Sequence, residues 1–210
     1  MSLNRQKISP LYALTPNLPS VDLRDCVARL IKGGARWIQI REKWCSDAVV
    51  VRDVAAITRN VPEGVLIVVN DRVDLAIGCR ASGVHLGDRD LPPEIAAGVA
   101  GNRALMIGVS THSVEEAVRM AGLESVDYVA IGPIFASPTK MVREPLGITA
   151  IEQLRRVTDV PIVAIGGIDR TNIGQVLAAG ADSAAVISAL YESGRMEDNV
   201  GELIERAERR

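Results

Sequence analysis

Short apolar runs alternate with longer stretches of helical periodicity about eight times along this chain, and that alternation restricts the fold more than any other feature. The strand candidates are Leu11–Thr15, Trp37–Arg41, Val65–Val69, Gly83–Leu86, Ala104–Val109, Tyr128–Ile131, Pro161–Ile165 and Ser183–Ile187. The helix candidates are Val21–Lys32, Ser46–Arg59, Arg72–Ile77, Pro92–Val99, Val114–Ala121, Ile148–Val157, Thr171–Ala179 and Glu197–Arg209. Strands that alternate with helices imply βαβ units and a parallel sheet. Gly33-Gly34, Gly83 and Gly180 stand where a helix must stop, and Asp47, Ser113 and Asp169 where an N-cap or first-turn acid belongs. So many units in 210 residues leave little room for insertions and predict one α/β domain over 1–210, a stripped (β/α)8 TIM barrel, a fold of typically about 250 residues. A doubly wound open sheet is the competing architecture. It would place a glycine-rich turn after its first strand, and Leu11-Tyr-Ala-Leu-Thr-Pro16 contains no glycine.

Composition narrows the partners. Aromatic residues make up 3% of the chain, which leaves few rings to stack on bases, and a net charge of −2 without a basic block points away from nucleic acid and membrane surfaces. No apolar run approaches the roughly 18 residues of a membrane span and no signal-peptide pattern opens the chain, so the expected location is cytoplasmic. Cys26, Cys45 and Cys79 lack metal-ligand spacing and are expected as reduced thiols. Oligomeric state is not legible in these residues, and a homodimer fits a barrel this small.

In a barrel the chemistry belongs at the C-terminal strand ends. After the second strand, Gln39, Arg41 and Lys43 fall on one face at a period of two, while Ile38 and Ile40 face the helices. Two cations and an amide on the inner side make an anion grip; a solvated charge cluster is the alternative. Asn70 and Asp71 follow the third strand and could simply cap the next helix. Asp90, one βα loop later, changes that balance, because Mg²⁺ takes one or two carboxylates together with substrate phosphate oxygens. Asp71 and Asp90 beside the cations therefore suggest a metal-bound diphosphate, with Asp88 a third acid of open role. His85 reads as a satisfied core histidine, His112 as a residue at a helix start, and Ser110 as a hydrogen-bond donor or N-cap.

The longest loop carries Ser137, Thr139 and Lys140, hydroxyls and a point charge suited to phosphate. Gly166 and Gly167 end the seventh strand, and Ile187-Ser188 ends the eighth. Loops at these two positions form the common barrel phosphate site, where backbone N–H groups hold the anion.

Taken together the motifs resemble those of the thiamine-phosphate synthase family. The resemblance runs from Leu11-Tyr12 to Ser188 through Gln39-Ile-Arg-Glu-Lys43, Asn70-Asp-Arg-Val-Asp-Leu-Ala76, Val84-His-Leu-Gly87 with Asp90, Gly108-Val-Ser110, Gly132-Pro-Ile-Phe135 to Thr139-Lys140, and Ile165-Gly-Gly-Ile168. It implies coupling of 4-amino-2-methyl-5-hydroxymethylpyrimidine diphosphate to 4-methyl-5-(2-phosphoethyl)thiazole by a dissociative substitution. It further implies that Gln39, Arg41, Lys43, Asn70, Ser110 and Lys140 hold the pyrimidine diphosphate, and that Asp71 and Asp90 hold Mg²⁺. Ser137, Thr139, Gly167, Ile187 and Ser188 would hold the thiazole phosphate, beside Gly166. The chain departs from the family at Asp88, where Gln is usual, and at Ser137, where Thr is commoner. A thiazole tautomerase is the nearest rival, but such relatives tend to lose the two acids and carry His where this chain has Pro133. A non-catalytic phosphate-binding barrel would not need the diphosphate and metal residues together.

Overall fold

The computed structural model describes residues 8–18, 22–136, 144–192 and 194–209. Among them lie the strands β1 (Leu11–Leu14), β2 (Trp37–Ile40), β3 (Leu66–Asn70), β4 (Gly83–Leu86), β5 (Met106–Thr111), β6 (Tyr128–Ile131), β7 (Ile162–Ile165) and β8 (Ser183–Val186). They pair in parallel in chain order, and β8 pairs back onto β1 to close the barrel. The helices α1 (Leu23–Lys32), α2 (Asp47–Asn60), α3 (Val73–Gly78), α4 (Pro93–Ala100), α5 (Val114–Ala121), α6 (Ile148–Arg155), α7 (Ile173–Ala178) and α8 (Met196–Glu208) each follow one strand. The expected (β/α)8 barrel is the fold, and the open sheet is excluded by closure. No helix of the described residues is long and apolar enough to cross a membrane.

Local chemistry sets the element ends. The Asp22 carboxylate accepts from Arg24 N and Asp25 N and starts α1, whose buried Leu23, Cys26, Val27 and Leu30 follow the helical period onto the sheet. Ser113 caps α5 by accepting from Glu116 N, and Asp47 is a first-turn acid of α2, as expected. Asp169 differs: its carboxylate holds Thr171 N and Oγ1 in a turn, which delays α7 to Ile173. β3 runs one residue past its expected end because Asn70 pairs with His85 of β4. β5 starts two residues later than expected, at Met106, whose N–H donates to Ser82 O, and the Asp127 carboxylate fixes Ile107 N. Cys26 and Cys79 are buried, Cys45 is exposed, and all three are free thiols.

The period of two divides the core in the same way all round the barrel. One set of side chains fills the space between sheet and helices; the other set, including Tyr12, Leu14, Trp37, Val68, Met106, Tyr128 and Val163, fills the barrel itself. The chain has two Trp, three Tyr and one Phe, and three of these rings meet inside the barrel. Tyr12 stacks on Trp37 with centroids 4.3 Å apart, and Tyr128 meets Trp37 edge-on at 4.9 Å. Burying about 200 Å² per ring stabilises by roughly 5 kcal/mol each before entropy is charged against it. Small residues make the space: a Cβ on Gly108 would stand 1.9 Å from Cζ of Tyr128, and one on Gly83 would stand 2.6 Å from the Met106 carbonyl oxygen.

Gly108→Ala should therefore cost about 2 kcal/mol or more, because the Tyr128 ring can move only into other packed rings. A urea midpoint equal to that of the unaltered protein would show that the barrel interior has slack.

Candidate active site at the C-terminal end of the barrel

Parallel closure brings every C-terminal strand end to one rim. On β2, Gln39 turns into the barrel and is buried, while Ile38 and Ile40 join the sheet–helix core. Arg41 is half-buried and Lys43 exposed, both beyond the last β2 residue. The loop after β1 braces them. Thr15 N donates to Gln39 O at 3.0 Å, and Thr15 Oγ1 accepts from Arg41 N at 2.9 Å. Asn17 Oδ1 accepts from Lys43 N at 3.1 Å, and Trp44 Nε1 donates to Asn17 O at 3.0 Å. Glu42 Oε1 completes the bend by accepting from Trp44 N and Cys45 N. Thr15 and Asn17 were missed from sequence. Their only signal is that short polar side chains after a strand tie down neighbouring backbone.

The two acids meet beside these cations. Asp71 adopts a left-handed backbone, φ 66°, and donates its N–H to His85 O at 2.8 Å. That conformation is tolerated by Asp better than by most residues, and it leaves the Asp71 carboxylate 3.0 Å from Lys43 Nζ. Asp90 Oδ2 accepts from Gly87 N at 2.7 Å. Burial raises the Asp90 pKa most; the Gly87 N–H lowers it, and hydrogen bonding to Asp71 raises it further. Neither Asn70 nor Asp71 caps α3, whose N-cap residue is Arg72, without a side-chain hydrogen bond. Arg72 is engaged with Asp47 and Asp74, and Asp88 is exposed. No group of three or more metal-ligating side chains occurs among the described residues. A converging pair of hard carboxylate donors fits Mg²⁺, which commonly takes its other oxygens from phosphate and water.

Beneath the rim a polar chain crosses the barrel. Gln39 Nε2 donates to Tyr12 Oη at 3.0 Å, which lies 3.0 Å from Tyr128 Oη. His85 Nδ1 is 2.9 Å from Tyr128 Oη, and its Nε2 is 2.9 Å from Ser110 Oγ. His85 is thus the satisfied core histidine expected, and burial lowers its pKa to about 4. His112 sits before α5, with its N–H on Glu116 and its ring Nδ1 3.3 Å from Gly132 O. The inward tyrosines were not singled out from sequence, although a buried phenol needs a partner and that requirement is a usable signal.

Across the rim, Gly166 and Gly167 have φ of 101° and 63°. A Cβ on Gly166 would lie 2.6 Å from Pro133 Cα, and one on Gly167 would lie 2.6 Å from the Ala136 carbonyl oxygen. Packing against the loop after β6 thus accounts for both glycines even before any phosphate is considered. Ile187 and Ser188 are exposed after β8, at the start of the 3₁₀ turn Ser188–Leu190. Ser137, Thr139 and Lys140 lie outside the described residues.

Residues 11–190 match the family model described as thiamine monophosphate synthase. A thiamine-phosphate synthase of Gloeobacter violaceus is 43% identical over 182 residues, 86% of this chain and 52% of the relative, so the chain spans about half of that protein's length. One of Methanoregula boonei is 48% identical over 162 residues, covering 75% of this chain and 73% of the relative. Among solved structures, a thiamine phosphate pyrophosphorylase from Pyrococcus furiosus superposes with a TM-score of 0.86 at 32% identity, over 97% of both chains.

The Gly167 geometry can be checked against Gly64, whose φ is 83° but around which a Cβ would meet nothing within 4 Å. Gly64→Ala should cost about 1 kcal/mol for backbone strain alone, and Gly167→Ala about 2–4 kcal/mol because the loop after β6 must also move. Equal urea midpoints for the two variants would contradict that loop–loop packing.

Proposed function

The chain belongs to the thiamine monophosphate synthase family, and from that premise we propose that it is a thiamine-phosphate synthase. It couples 4-amino-2-methyl-5-hydroxymethylpyrimidine diphosphate to 4-methyl-5-(2-phosphoethyl)thiazole, or to its 2-carboxy form, and releases diphosphate. The bond between the pyrimidine methylene carbon and the diphosphate oxygen breaks first, and both electrons leave with the diphosphate. The thiazole nitrogen then gives its lone pair to the methylene cation, forming the C–N bond; the 2-carboxy substrate also loses carbon dioxide.

Such a substitution needs no protein nucleophile. It needs fixed charge where the diphosphate departs and two rings held in line. Arg41, Lys43 and Lys140 supply positive charge to the diphosphate, Asn70 and Ser110 supply hydrogen bonds, and Gln39 orients the pyrimidine end. Asp71 and Asp90 hold Mg²⁺, which supplies positive charge to the diphosphate oxygens when bound. Gly166, Gly167, Ile187 and Ser188, with Ser137 and Thr139, hold the phosphate of the thiazole. The proposed location of this reaction is the cytoplasm.

One observation carries this reading: the acids after β3 and β4 converge beside Lys43, on the rim that the β7 and β8 loops share. Incubation with both substrates should give thiamine phosphate and diphosphate only when Mg²⁺ is present, and absence of metal-dependent product would overturn the proposal. Asp71→Asn should lower kcat/KM by about 100-fold or more. Asn also accepts the left-handed backbone, so the thermal midpoint should hardly move. Normal turnover by this variant would remove Asp71 from the metal site.

A further inference from the structure

The polar chain beneath the rim has five members and four links, and each link uses one hydrogen. Gln39 Nε2 donates to Tyr12 Oη, so the single hydroxyl hydrogen of Tyr12 is left for Tyr128. Tyr128, having accepted, gives its own hydrogen to His85 Nδ1. A neutral imidazole that accepts at Nδ1 carries its proton on Nε2, and it donates that proton to Ser110 Oγ. Ser110 accepts from below and keeps its hydroxyl hydrogen for whatever stands above it. The opposite polarity requires the Gln39 amide to be turned over, and it spends the Ser110 hydrogen on His85, away from an anion. Tyr12, Tyr128 and His85 are all buried, so a hydrogen left without an acceptor here has no water to turn to.

We propose that Tyr12, Tyr128 and His85 are positioning residues of a relay with one polarity, running from Gln39 to Ser110, which fixes Ser110 as a donor to the substrate diphosphate. The proposal rests on the reading of Ser110 as a diphosphate contact. None of the three relay residues touches substrate in it; they act through the two side chains at the relay's ends. In this polarity the Gln39 carbonyl oxygen stays outside the chain of links. Both ends are therefore set by hydrogen bonds made before any ligand arrives.

The chain contains two histidines, so ¹⁵N-histidine labelling of the full protein, with His112→Asn to identify the second signal, reports His85 directly. The expected species is the Nε2–H tautomer with a hydrogen-bonded Nδ1; an Nδ1–H tautomer overturns the proposal. Tyr128→Phe keeps the ring and removes one relay hydroxyl. It should raise KM for the pyrimidine diphosphate about tenfold, the scale of one hydrogen bond to a charged group, and leave KM for the thiazole phosphate unchanged. In a Ser110→Ala background the same substitution should add nothing. An equal effect of Tyr128→Phe with and without the Ser110 hydroxyl overturns the relay. Ser110→Ala with an unchanged KM for the pyrimidine diphosphate instead overturns the premise about Ser110, while the tautomer of His85 still reports the polarity separately.

Discussion

Pairing of β8 with β1 is the contact on which the remaining architecture depends. Leu11, Tyr12 and Ala13 align with Ala184, Ala185 and Val186, which leaves the parallel sheet without an edge. Because all eight strands run the same way, closure sends every C-terminal end to a single rim. Residues as distant in sequence as Lys43, Asp71, Asp90, Gly167 and Ser188 follow strands that end there. The helix N-termini face the same side and add their partial positive charge to it. An open sheet of the same strands would have kept the β2–β4 acids and cations far from the β7–β8 loops. Closure makes neighbours of the two regions proposed to bind anions.

That part of the molecule was legible because it depends on periodicity and residue type. Strand period two turned Gln39 into the barrel as expected, although Arg41 and Lys43 lie beyond the last β2 residue, and β4 and β6 appear with the bounds the apolar runs suggested. Asp71 was legible as an acid near a cation, but its left-handed backbone was not, since nothing local demands it: the His85 carbonyl on the next strand holds its N–H. The same limit applies to the relay. Tyr12, His85 and Tyr128 are separated by many residues, and only the barrel brings their polar atoms within 3.0 Å of one another. Gly166 and Gly167 were rightly placed at a rim loop, yet the packing that requires them comes from Pro133 and Ala136, two elements earlier.

Charge is distributed unevenly between rim and floor, and there is a physical reason for that. At the rim, the Asp71 carboxylate faces Lys43 Nζ at 3.0 Å, and both side chains are partly open to solvent. Asp90 is pressed against a second carboxyl, an arrangement that opposes two full negative charges until a cation joins them. One layer below, the linked polar groups are amide, phenol, imidazole and hydroxyl, beside the buried indole N–H of Trp37. His85 is surrounded closely enough that its protonated form is strongly disfavoured. A buried charge at that depth would demand a partner charge beside it, and none of the rings packed there could provide one. A neutral hydrogen-bonded floor gives direction without adding a field that competes with the rim.

Rigidity beneath the site has a second consequence. Rim residues with a left-handed backbone, Asp71, Gly166 and Gly167, lie in a conformation that ordinary residues avoid, at about 1–3 kcal/mol for a non-glycine residue. Such backbone persists only where neighbouring structure over-determines it. Here two of them are tied to an adjacent βα unit, Asp71 to β4 through His85 O and Gly166 to the β6 loop through Phe135 N, while Gly167 is held within its own unit by Asn172 Nδ2 at the start of α7. A distortion at one of these positions is resisted by the group that holds it, and the packed rings of Tyr12, Trp37 and Tyr128 below oppose any inward collapse. The charged groups can thus stand at fixed separations without any of them being buried, which is the condition for stabilising charge that appears only during a reaction.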